Sequence, residues 1–234
     1  MPKDWSSWPD KYEARPELRE RLALVQTQIA ACLTACRPGP IQVISLCAGD
    51  GRDLLGALPA HPRTDDVSAL LVELEHRSVE KGRATAATLG LADRVTFLEG
   101  DATWSNHYRG AAPAELVLAC GVFGNLDDSE LARLICGLPF LCRPEGRLIW
   151  TRGLRLERDR PLALIGERLA DAGFFEEAVV YTPRQRFAVN RHRYRAGLQA
   201  LPKDRRFFAF SGPPPRGGSA NPDGSPSRRR RDPS

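Results

Sequence analysis

Two glycines and three acids stand at the ends of successive apolar runs in this sequence, and their order suits the binding of a nucleoside. The first group is Cys47-Ala48-Gly49-Asp50-Gly51-Arg52-Asp53, directly after the run Ile41-Gln42-Val43-Ile44-Ser45-Leu46. Gly49 and Gly51, spaced Gly-x-Gly, let a backbone turn sharply and approach a ligand with no Cβ in the way. A helix opening after them offers unpaired N–H groups to an anionic group. Alone this is weak, because a strand-to-helix turn can need glycine for its own geometry. The second group is Val72-Glu73-Leu74-Glu75. Strand alternation points its two carboxylates the same way. Glu75, at the strand tip, is the better candidate to accept hydrogen bonds from both hydroxyls of a ribose, whereas Glu73 lies deeper and can instead be held by an arginine. The third is Gly100-Asp101-Ala102 after the third run. Asp101 there can accept from the amino group of an adenine, although many loop aspartates only make turns. Three such signals, correctly ordered after three successive strands, are what separates a site from coincidence.

These residues need a frame of alternating strands and helices. Apolar runs and their alternation predict strands over 41–46, 68–74, 94–99, 115–120, 146–151, 176–181 and 186–192. Between them the pattern predicts helices over 52–58, 79–89, 127–142, capped by Asp127 or Asp128, and 161–172, opened by Pro161. Ahead of the first strand, Leu18, Leu22, Val25, Ile29 and Cys32 recur at steps of three and four, one face of a helix that Pro38-Gly39-Pro40 ends. The alternation implies an α/β fold, a doubly wound, mostly parallel sheet with helices on both faces. Ligands of such sheets sit at the carboxyl ends of the strands, where strand order reverses.

Segments 43–55, 71–77, 100–102 and 116–125 together resemble the successive motifs of the class I S-adenosylmethionine-dependent methyltransferases. The resemblance spans about 41 to 194. It implies a Rossmann-like methyltransferase fold with seven strands, the last antiparallel. It also implies S-adenosylmethionine as cofactor, and in-line transfer of its methyl group. Carried over position by position, Ala48, Gly49, Asp50 and Gly51 form the loop facing the methionine part of the cofactor. Glu75 becomes the ribose acid, Asp101 and Ala102 the adenine side, and Cys120 and Gly121 the end of the fourth strand beneath the sulfonium. The loop departs from the family pattern of acid-x-Gly-x-Gly-x-Gly, because Ser45 and Cys47 stand at the places of the acid and the first glycine.

Such a transfer needs the nucleophile held against the methyl group, and a base only if the acceptor starts protonated. No catalytic residue is therefore assigned. Tyr12, Asn125 and His192 are candidates for the acceptor side: Tyr12 from a lid-like N-terminal segment shared with Trp5 and Trp8, and His192 as a neutral base or a core-edge histidine. His107 is expected to be exposed. After the fourth strand the chain reads Gly121-Val122-Phe123-Gly124-Asn125-Leu126, without the Asn/Asp-Pro-Pro-aromatic motif of nucleic-acid amino-methylating relatives.

Charge agrees. The net +5 owes +3 to the stretch from Ser211 on, with Arg216, four arginines at 228–231, Asp223 and Asp232, which leaves +2 for the rest. That is no phosphate-reading face, so a small-molecule acceptor is expected and nucleic acid is not. No run approaches the ~20 apolar residues of a membrane span, and the N-terminus shows no signal-peptide pattern, so no membrane partner and a cytoplasmic location are expected. The six cysteines form no Cys-x-x-Cys pair. Cys32 and Cys36 lie one helical turn apart, a spacing open to a metal, but with no second ligand pair they read as core thiols, reduced, and no metal is expected. By composition, 1–40 is a helical extension or lid and 41–210 the cofactor-binding domain. The Pro/Gly/Ser-rich stretch 211–234 is expected to be a disordered basic tail. Two rival readings remain. One is a catalytically inactive methyltransferase-like scaffold, favoured by the altered loop. The other is an NAD(P)-dependent oxidoreductase, disfavoured by Leu54 where the dinucleotide fingerprint needs a third glycine.

Overall fold

A computed structural model describes residues 15–154 and 162–210. The readings of Trp5, Trp8, Tyr12, Pro161 and the 211–234 tail lie outside the described residues. The elements are α1 (Pro16–Ala35), β1 (Ile41–Leu46), α2 (Arg52–Leu55), β2 (Val67–Glu73), α3 (His76–Thr88), β3 (Val95–Glu99), β4 (Ala114–Ala119), α4 (Asp128–Gly137), β5 (Cys142–Gly153), α5 (Leu162–Asp171), β6 (Phe174–Tyr181) and β7 (Phe187–Tyr194). The strands form one seven-stranded sheet in the order β3-β2-β1-β4-β5-β7-β6. β1 to β5 run parallel to one another, and β7 runs antiparallel to both β5 and β6. The doubly wound sheet with its antiparallel last strand is thus the expected one. Strand order reverses between β1 and β4, which opens a crevice at their carboxyl ends.

Alternation along each strand feeds two cores. Ile41 and Val43, Leu116 and Leu118, and Ile149 point to one face, where Val25, Ile29, Leu54, Leu55 and Val79 cover them from α1, α2 and α3. Ile44 and Leu46, Val117 and Ala119, Leu148 and Trp150 point to the other, against Leu131, Leu134 and Ile135 of α4 and Ile165 and Leu169 of α5. The predicted face of α1 is the one that meets the sheet: Leu18, Val25, Ile29 and Cys32 are buried and Leu22 is half-buried. That helix is a layer of the sheet's own core. Cys32 is buried and Cys36 half-buried, and all six cysteines are free. Among the described residues no helix is long and apolar enough to cross a membrane.

Several boundaries differ from expectation for local reasons. α3 starts at His76 rather than 79 because the Glu75 carboxylate caps it, accepting from Arg77 N and Ser78 N. The capped helix after β4 ends at Gly137 and tightens into a 3-10 turn, Leu138–Phe140, around Pro139, which cannot continue an α-helix. β5 then begins at Cys142, paired to Ala114.

The connection from β3 to β4 carries only a short 3-10 turn, Ser105–Tyr108. The stretch after β7 lies against that turn. Ser105 N donates to Arg205 O at 2.9 Å and Phe207 N to Thr103 O at 2.8 Å, and Ala209 N donates to the Glu130 carboxylate at 2.6 Å. Phe207 and Phe208 are each 1% exposed. Phe207 lies between Tyr108 and Phe140, with ring centroids 6.3 and 6.2 Å away. This C-terminal strap, 195–210, fills apolar space that a crossover helix would otherwise cover. Its long-range contacts leave no periodic trace in the sequence.

Candidate functional site

The turn after β1 is built from left-handed backbone. Cys47, Gly49 and Gly51 have φ of 50, 58 and 71°. Cys47 therefore adopts the conformation its glycine counterpart would take, so the departure noted in the sequence leaves the turn's shape intact. The two glycines differ in purpose. A Cβ on Gly51 would lie 2.6 Å from Phe97 Cζ, whereas one on Gly49 would meet nothing within 4 Å. Gly51 is required by packing, and Gly49 faces open space. Gly121, at the end of β4 with φ +81°, also faces open space.

Beside that space the two glutamates divide their work differently from expectation. Glu73 Oε2 accepts the Gly49 N–H at 2.8 Å, and Oε1 accepts that of Glu75 at 2.9 Å. Burial pushes the Glu73 carboxyl above its usual range, partly offset by these two N–H donors. The Glu75 carboxylate is taken by the start of α3, through Arg77 N at 3.2 Å and Ser78 N at 2.6 Å. It is thus Glu73 that stands against the glycine turn, held by backbone rather than by an arginine, while Glu75 caps a helix. The sequence showed both acids in phase. It hid the cap because glutamate is not among the usual capping residues.

The strand tips are tied together. Ala48 N donates to Val72 O at 3.1 Å and Gly100 N to Glu73 O at 2.9 Å. The turn, the two glutamates and the Gly100-Asp101-Ala102 loop therefore share one edge of the sheet. Asp101 Oδ1 accepts the Thr103 N–H at 3.0 Å. Ala102 is buried, and its carbonyl accepts from the Tyr108 hydroxyl at 2.5 Å. Leu74, 43% exposed, and Trp104, 37% exposed, leave large apolar groups on this rim. Asp50 is turned to another use: its carboxylate binds Arg52, with Nε at 2.7 Å, and Lys81 Nζ at 3.6 Å. Burial opposes ionising Asp50, but the Arg52 hydrogen bond and charge outweigh it and hold its carboxyl below the usual range.

At the end of β4, Gly121 N donates to Thr151 Oγ1 at 2.8 Å, and the Asn125 side chain donates to Gly121 O. Asn125 thus closes the 3-10 turn Phe123–Asn125. Burial, reinforced by Asp53, pushes the Cys120 thiol well above its usual range. Asp53 in turn pairs with Arg21 of α1 at 3.4 Å. Asp53 belongs to the loop segment read from the sequence, but its partner Arg21 was not singled out there, where it reads as an ordinary polar helix residue.

His107 is half-buried against Gly100 rather than exposed; a Cβ on Gly100 would lie 3.0 Å from its ring. His192 is misplaced as an acceptor-side group. Its register partner in β5 is Leu148, which pairs with Val117, three residues short of Cys120 and about 10 Å from the strand tips. It is 1% exposed, and Trp150 Nε1 donates to its Nδ1 at 3.3 Å. Burial pushes its pKa from 6.5 down to about 4. Between those two values the unfolded chain holds the extra proton, so stability falls as the pH drops, by up to about 3 kcal/mol. His192→Gln, which can still accept from the indole, should remove most of that acid-side loss. Urea titrations at about pH 7 and about pH 4.5 measure it, and an unchanged slope would contradict the buried neutral imidazole.

Residues 16–154 match the model of a family described as "Putative methyltransferase". The chain is 29% identical over 113 residues to the uncharacterized protein YnbC of Escherichia coli (strain K12), a stretch covering 47% of this chain and 19% of YnbC. It therefore spans about a fifth of that relative's length. Among solved structures it resembles an O-methyltransferase family protein from Burkholderia thailandensis, with a TM-score of 0.61 and 19% identity, covering 76% of this chain and 56% of that one. Magnesium protoporphyrin IX methyltransferase (ChlM) from Synechocystis PCC 6803 with bound SAM gives 0.61 and 15%, covering 77% and 82%. The 1,6-didemethyltoxoflavin-N1-methyltransferase of Burkholderia thailandensis, with bound 1,6-didemethyltoxoflavin and S-adenosylhomocysteine, gives 0.60 and 20%, covering 82% and 85%. At these identities the likeness is one of fold.

Proposed function

This chain belongs to the methyltransferase family whose model it matches over residues 16–154, and from that premise we propose that it binds S-adenosylmethionine at the carboxyl edge of β1 to β4 and methylates a small molecule. The observation that carries the reading is the Glu73–Gly49 hydrogen bond, which joins the acid of β2 to the turn of β1 beside open space. The residues present suit such a cofactor. Gly49 and Gly121 each leave room that a Cβ would fill, and carboxylates stand at two points of the same edge.

Glu73 is assigned to the ribose hydroxyls, as a carboxylate already oriented by two backbone donors. Asp101 takes the amino edge of the adenine, with Ala102 beside it. Gly49 admits the methionine part to the turn, while Cys120 and Gly121 flank the reacting end. When bound, the cofactor supplies a methyl group already activated on its sulfonium. What is left to the protein is to hold the acceptor in line and keep water out. Asp53 and Arg21 form a charged pair beside Cys120. The small-molecule acceptor follows from the modest charge outside the tail and the missing Asn/Asp-Pro-Pro-aromatic motif. We take residues 16–210 as the catalytic unit, α1 included, since that helix is buried against the sheet. Six free cysteines suit the reducing cytoplasm in which we place it.

Titration calorimetry with S-adenosylmethionine, S-adenosylhomocysteine and NADH tests the assignment. Binding of the first two and not of NADH is expected. NADH binding alone would overturn it in favour of an oxidoreductase, and binding of none would favour a scaffold.

A further inference from the structure

The C-terminal strap does more than fill the gap between β3 and β4. It delivers a guanidinium to the rim of the site. Arg206 forms an antiparallel bridge with Trp104 and stands 5.8 Å over the Trp104 ring. Its Nε donates to Thr103 Oγ1 at 3.3 Å, and its Nη2 lies 3.9 Å from Asp101 Oδ2. The other Asp101 oxygen is already fixed by the Thr103 N–H. The carboxylate is therefore aimed by two groups, one from its own loop and one from a segment about a hundred residues later. The strap cannot easily shift, because Phe207 and Phe208 are buried between the bonds made by Arg205 and Ala209, and Phe207 N makes a third.

We infer that the strap completes the nucleoside site and that Arg206 is a positioning residue, setting Asp101 to accept the 6-amino group of the base. This rests on the reading of Asp101 as the adenine acid. Arg206 itself keeps to the outside. It holds one oxygen of Asp101 in orientation while its guanidinium lies over the Trp104 ring. Recognition of the base then depends on a residue that lies beyond the last strand of the sheet.

The experiment compares two ligands on the full chain: S-adenosylhomocysteine and its analogue with hydrogen in place of the 6-amino group. For an ion pair as exposed as this one, Arg206→Ala should weaken S-adenosylhomocysteine by about three- to fivefold. The analogue has nothing to give Asp101, so its affinity should be the same in both proteins. Asp101→Asn should likewise reduce the difference between the two ligands. Equal losses for both ligands would mean that Arg206 only supports the loop, and no loss for either would mean that it does not act on Asp101; each result overturns the inference. Failure of the unaltered protein to bind either ligand would instead remove the cofactor assignment on which the inference stands. Thermal unfolding of Arg206→Ala checks that the strap stays in place.

Discussion

Glu73→Ala is expected to weaken S-adenosylmethionine binding by about 1.5–3 kcal/mol, roughly 10- to 150-fold, because it removes a charged acceptor from the ligand. The same change frees the Gly49 N–H, now held at 2.8 Å, and so loosens the turn that must admit the cofactor. Glu75→Ala should behave differently. Its carboxylate serves Arg77 N and Ser78 N at the start of α3, so its loss is a lost helix cap worth about 1 kcal/mol of stability. Cofactor affinity in that variant should stay within a few-fold of the parent. Calorimetric titration and thermal unfolding of both variants give a crossed pattern: one loses ligand, the other loses stability. The opposite pattern would return the ribose to the tip carboxylate and remove Glu73 from the site.

That pair shows what the sequence could and could not disclose. Alternation of apolar residues fixed which strands exist and which faces they bury, since every inward position has to leave water. The four strand ends at which the proposed site lies were legible for the same reason. Which of Glu73 and Glu75 stands against the glycine turn was not, because both point to one side and only the helix start takes up Glu75. Glu73 pairs with Glu99 at the end of the β2–β3 ladder, and the next carboxylate along is free to turn onto α3. His192 was left open between a base and a core-edge histidine for a related reason. A histidine on an alternating strand shows its face but not its height, and the register with Leu148 sets it well below the rim. The strap was invisible to any local pattern. Its bonds, such as Ala209 N to Glu130 and Asp204 N to Asn106 at 3.0 Å, join residues far apart in the chain.

Gly49→Ala and Gly51→Ala, two residues apart, should fail in different ways. Both positions have left-handed backbone, which costs about 1–2 kcal/mol for any side chain. At Gly51 the new methyl would also come within 2.6 Å of Phe97 Cζ and 2.7 Å of Leu71 Cδ2, both in the core beneath the turn. Overpacking of that kind adds about 1–3 kcal/mol, so Gly51→Ala should lose about 2–5 kcal/mol of stability in urea titrations. Phe97→Leu in the same chain should recover part of it, because the two sites share the clash. Gly49→Ala has no such neighbour, with nothing within 4 Å of its Cβ, and should pay only the backbone term. Its methyl instead enters the space assigned to the methionine part of the cofactor. Repacking there would cost about 1–3 kcal/mol of binding, roughly 5- to 150-fold in affinity. A Gly49→Ala protein that folds and binds S-adenosylmethionine as tightly as the parent would mean that the open space beside the turn belongs to something other than the cofactor.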